Sequence, residues 1–122
     1  MSITGAIMSA LNGAGLVWIG VGFLLAMHTA EAADRAATVE VTIQDHRFSP
    51  SEIHVQAGQP TFLEVANHDA QAEEFEMRQL GIEKMIPAGG KGRVRLRPLG
   101  PGRYPFLGEF HEDTAQGAVI AE

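Results

Sequence analysis

Thr38-Val39-Glu40-Val41-Thr42-Ile43 is the stretch that decides the fold. Val39, Val41 and Ile43 alternate with Thr38, Glu40 and Thr42, the period-two pattern of a strand with one buried and one wet face. Downstream, Phe48-Ser49-Pro50 breaks the pattern, and Ile53 and Val55 mark a second short strand. Ala57-Gly58-Gln59-Pro60 is a turn, because Gly tolerates positive φ and Pro cannot donate to a ladder. Residues 61–66 read as a third strand, closed by Asn67-His68-Asp69. Residues 74–80 read as a fourth, with Phe75 and Met77 on one face and Glu74 and Glu76 on the other. After the turn Pro87-Ala88-Gly89-Gly90, Val94 and Leu96 alternate with Arg93, Arg95 and Arg97. Residues 98–102 turn the chain into Tyr104 and Phe106, and Gly117-Ala118-Val119-Ile120 is the last strand. No amphipathic helix follows residue 33. Short strands with a turn every ten residues or so predict an all-β domain, an antiparallel Greek-key β-sandwich. Its expected core is Val39, Val41, Ile43, Leu63, Val65, Val94, Leu96, Tyr104, Phe106 and Val119.

Upstream of the first strand the composition changes. Residues 6–27 carry no charge, and Ala30-Glu31-Ala32 is an A-x-A ending of the kind signal peptidase cleaves. Residues 1–32 are therefore expected to be a signal peptide, 33–37 a short lead, and 38–122 the domain. The alternative is an uncleaved anchor, since these 22 uncharged residues would cross a hydrocarbon layer about 30 Å thick. Both readings place the domain outside the cytoplasm, in a bacterial periplasm. The chain has 122 residues, which leaves room for one domain and one small core. Nine Lys and Arg against fifteen Asp and Glu give a net charge of −6, which argues against nucleic acid as a partner. The absence of cysteine excludes disulfides, iron–sulfur clusters and thiolate-bound copper.

The side chains with most capacity for chemistry fall in two segments. One is Glu73-Glu74-Phe75-Glu76, at a strand start; the other is Gly108-Glu109-Phe110-His111-Glu112-Asp113-Thr114, in the loop before the last strand. Strand ends of a Greek-key sandwich meet at a pole, where these carboxylates and an imidazole could converge. Oxygen donors with one His suit iron, manganese or copper(II) rather than copper(I). The competing reading is a set of solvated charges on a strand edge and loop. Asp45 and His46 sit at a strand end and read as turn residues, while His54 and His68 read as surface histidines. Met77 and Met85 read as packing. Arg93, Arg95 and Arg97 form a solvated strand face or a docking patch for an acidic partner.

Asp45-His46-Arg47-Phe48-Ser49-Pro50, then Ile53-x-Val55-x-Ala57-Gly58, then Asn67, resembles the opening of a cupredoxin domain. Pro98-x-x-Pro101-Gly102-x-Tyr104-x-Phe106, then His111 and Gly117, resembles its closing half. The chain is most similar to the cupredoxin-like domains of EfeO type, found in periplasmic iron-uptake systems beside high-affinity iron permeases. In that subgroup a Glu-aromatic-Glu motif follows the third strand, as Glu74-Phe75-Glu76 does here.

The resemblance implies a periplasmic protein that binds iron, or assists its oxidation, for a membrane iron permease and companion periplasmic proteins. It implies Glu74 and His111 as ligands, with Glu76, Glu109 and Asp113 completing or supporting the shell. Glu73 competes with Glu74 for the inward position, because a one-residue register slip swaps faces. Blue-copper proteins place a His before the aromatic of the fourth strand and a Cys three residues before the second His. Here those places hold Glu73-Glu74 and Gly108, so a type 1 blue-copper centre is excluded. A copper(II) carrier and a metal-free interaction module stay open as alternatives. Ferroxidase turnover would need an electron acceptor, and the sequence identifies none, so binding or delivery is the expected role.

Overall fold

β1 (Ala37–Gln44) turns Val41 and Ile43 inward, and the two-residue turn Asp45-His46 returns it as β2 (Arg47–Ser49), with Gln44 opposite Arg47. Both turn residues have positive φ, 52° and 58°. A type I′ hairpin turn requires this, and Asp and His tolerate it better than bulky residues do. A cis Ser49–Pro50 bond leads into β3 (Glu52–Val55). Next come β4 (Thr61–Asn67), β5 (Glu73–Met77) and β6 (Ile82–Ile86). The chain ends with β7 (Lys91–Leu96), β8 (Gly102–Gly108) and β9 (Gln116–Ala121). This computed structural model describes residues 36–122; the expected signal segment and residues 33–35 of the lead lie outside the described residues.

The strands form two sheets, ordered β2-β1-β4-β7 and β3-β9-β8-β5-β6. Five pairings are antiparallel, but β1–β4 and β3–β9 are parallel. Between β1 and β4 the chain passes through β3 in the other sheet, and that crossover lets β4 return in the direction of β1. Between the sheets, Phe48, Phe75 and Phe106 meet with ring centroids 4.9–5.9 Å apart. Leu63, Val65, Ile86, Leu96 and Val119 close round them. Each such side chain contributes about 1.5–3 kcal/mol through removal from water.

All ten expected core residues lie in or against this cluster, with Val39 and Tyr104 only partly buried. Two local expectations differ from the structure. The strand expected to reach residue 80 stops at Met77, and a 3-10 turn follows at Arg78–Leu80, closed by Gly81 at φ 67°. β6 was not expected, because Ile82-Glu83-Lys84-Met85-Ile86 lacks alternation; only Ile86 is fully buried there.

Candidate metal centre

At one end of the sandwich three elements converge: the β1–β2 turn, the first residue of β5, and a 3-10 turn (Glu109–His111) after β8. Glu73 lies on the same face of β5 as Phe75 and Met77, so alternation drives its carboxylate inward, to 2 % exposure. There it accepts three hydrogen bonds. The backbone N–H groups of Glu74 and Phe110 donate to Oε1 at 3.0 and 2.9 Å, and His111 Nδ1 meets Oε2 at 2.6 Å. Gly108 makes room for it. A Cβ at that position would stand 2.6 Å from Glu73 Cδ and 2.8 Å from the Ala115 Cβ. The space beside Gly108 is therefore taken up by the Glu73 carboxylate.

His46 completes the group. Its ring stacks on that of His111, with centroids 3.6 Å apart and planes 10° from parallel. Asp69 holds the turn that presents it: the N–H of Asp45 donates to Oδ1 at 2.8 Å and that of His46 to Oδ2 at 3.0 Å. His46 Nδ1 also lies 3.4 Å from Oδ2. These backbone donors, His46 first, hold the Asp69 carboxyl below the usual carboxylate range. Asp69 is itself fixed by buried Asn67, whose Oδ1 accepts the Asp69 N–H at 2.9 Å and whose amide donates to Gln71 and Ile86 carbonyls.

His46, Glu73 and His111 each offer a ligand atom within 4.8 Å of the others. Two imidazoles and a carboxylate suit a borderline divalent ion such as iron(II) or copper(II), with no sulfur to favour copper(I). The donor set fits a metal, on one condition. For an ion to take Glu73 Oε2 and His111 Nδ1 together, the hydrogen bond between those two atoms must give way.

The expected residues divide accordingly. Glu73 and His111 come together, and the inward place expected of Glu74 belongs to Glu73. Glu74 points to the other face of β5, as a one-residue shift requires. Its carboxyl is raised above the usual range, by partial burial first and then by the carboxylates of Glu109, Glu83 and Glu76. Glu76 accepts from Arg78 Nε at 3.1 Å, while its Oε2 is buried with no partner. Glu109 and Asp113 are exposed, outside the cluster. His46 is the member of this group that the sequence analysis reads only as a turn residue. Its signal was the dipeptide Asp45-His46 at a strand end, a two-residue turn that aims a side chain back over the pole.

Comparisons with known proteins give the same architecture. The family described as "Cupredoxin-like domain" matches residues 16–121. An uncharacterised protein of Rickettsia prowazekii (strain Madrid E) is 39% identical over 87 residues, covering 71% of this chain and 70% of that protein. The structure is similar to the metal-binding domain, with Cu(I), of the Cu(I)-exporting P-type ATPase CopA of Streptococcus pneumoniae D39 (TM-score 0.63, 17% identity, 70% and 84% of the two chains). It is also similar to auracyanin A, a blue copper protein of Chloroflexus aurantiacus (TM-score 0.62, 15% identity, 72% and 100% of the chains). At such identities the likeness is one of fold.

Proposed function

The chain belongs to the cupredoxin-like domain family, and on that premise we propose that it is an exported protein that binds one divalent transition-metal ion through His46, Glu73 and His111. The observation that carries this reading is the approach of three ligand atoms, from three separate elements, at one pole of the sandwich. The finer reading is iron: the ion is held for a membrane iron permease with companion periplasmic proteins. The resemblance carried by the Glu74-Phe75-Glu76 motif supports it. Copper(II) is the other ion the donors suit, and the copper-binding neighbours favour it. Without cysteine the copper complex would be pale, lacking an intense thiolate band.

The test is thermal unfolding with and without iron(II), under anaerobic conditions, and copper(II). An ion bound at one hundred times its Kd stabilises by about 2.7 kcal/mol, which raises the Tm of a domain this size by about 10 °C or more. The shift should vanish in His46→Ala and His111→Ala. A second reading has its own support: the Glu73 carboxylate already has three partners. On that reading the cluster is a metal-free clasp within an interaction module, and no ion moves the Tm of the wild type.

A further inference from the structure

The β7 edge of the first sheet carries a charge pattern that the metal centre does not use. Lys91, Arg93 and Arg95 on β7 and Arg97 just beyond it stand at alternate positions, all exposed, while Gly92, Val94 and Leu96 between them are buried. Alternation puts the four cations in one row, about 6.6–6.8 Å from one to the next. They are four of the nine Lys and Arg in a chain of net charge −6. Among the described residues β7 is outermost in its sheet, so alternate residues turn backbone N–H and C=O groups away from β4. The row is partly fixed in place. Arg93 lies over the Phe62 ring at 3.9 Å, which holds its stem, and Lys91 reaches Glu64 at 3.5 Å. Among the described residues Arg95 and Arg97 pair with no carboxylate.

Protection against edge-to-edge pairing does not account for such a row. At the edge of the other sheet, β3 balances its charges: Glu52 faces His54 at 3.0 Å and Arg103 at 3.7 Å. β6 carries Glu83 beside Lys84. Among the described edge strands, β7 alone carries a row of like charges. A broad anionic surface fits poorly too, because Glu40 and Glu64 lie on the same outer face of the neighbouring strands. A narrow ligand that follows the edge avoids both carboxylates.

We propose that β7 is a docking edge for an acidic protein segment in strand conformation, its carboxylates at alternate positions meeting Arg93, Arg95 and Arg97 while its backbone pairs with the free edge. The two repeats match, because both are strand repeats, and opposite charges on adjacent strands attract. The proposal does not depend on the metal reading.

The test uses the full protein with a chelator present and the peptide Glu-Thr-Glu-Thr-Glu-Thr-Glu. A control peptide of the same composition carries its glutamates in one block. The alternating peptide should bind, about tenfold more weakly in Arg95→Gln/Arg97→Gln, and more weakly as salt shortens the Debye length. Both changed side chains are exposed, and a melting curve matching the wild type verifies the fold. In amide spectra the bound peptide should shift β7 and leave β3 and β6 unmoved. Equal binding of the two peptides, unchanged binding by the double variant, or binding only to phosphatidylglycerol vesicles would each overturn the proposal.

Discussion

Replacing Glu73 with Ala would remove the acceptor of three hydrogen bonds at once, from the N–H groups of Glu74 and Phe110 and from His111 Nδ1. The carboxylate is 2 % exposed, and water does not readily replace it. The two backbone donors are half-buried, and each should lose about 1 kcal/mol, the low end for an unsatisfied group. The broken Glu73–His111 contact and the space left under the 3-10 turn bring the total to about 3–5 kcal/mol, the range for breaking a buried pair. Glu73→Gln keeps the shape and an oxygen for the backbone donors, so it should cost only about 1–2 kcal/mol. Urea unfolding with a chelator present, comparing midpoints at constant slope, measures both. A loss below about 1 kcal/mol in Glu73→Ala, or an equal loss in the two variants, would refute the view that this carboxylate holds the pole together. In metal titrations Glu73→Gln should bind more weakly than wild type.

Gly108→Ala should destabilise by about 1–3 kcal/mol, because the new Cβ would meet Glu73 and Ala115 below 3 Å. The cost should shrink in a Glu73→Ala background, a non-additivity that a double-mutant cycle reads. Asp69→Ala should cost about 2 kcal/mol at pH 7, through two backbone donors left without a charged acceptor. Because the Asp69 carboxyl is held below its usual range, this advantage of the wild type should be full above pH about 4 and fade as pH falls through the lowered value. His54 titrates above its usual value through Glu122 first and Glu52 next. Its contribution should be full below pH about 6.5 and lost as pH rises through the raised value. The difference in Tm between wild type and His54→Gln should therefore be larger at pH 5.5 than at pH 9 (pH values set about the unperturbed histidine value).

The acidic pole shows how far local pattern reaches. Phe75 and Met77 belong to the core, and period two then puts Glu73 on their side and Glu74 on the other. The alternation already held the inward carboxylate; the Glu74-Phe75-Glu76 motif pointed to the wrong face. His111 was singled out because, by the resemblance, it is the one side chain of the blue-copper set that this chain keeps. His46 was not, since its nearness to His111 depends on a contact made 23 residues away, by Asp69.

By itself the sequence determined the all-β class, the core-facing set of each alternating strand, the absence of a thiolate and the cupredoxin-like framework. Each of these follows from residue type and from spacing along one strand. The tertiary structure alone decided the two parallel pairings, the hairpin that delivers His46 and the seating of Glu73 in the space at Gly108. These depend on which strands become neighbours after the chain crosses between sheets, and a period of two does not encode that choice.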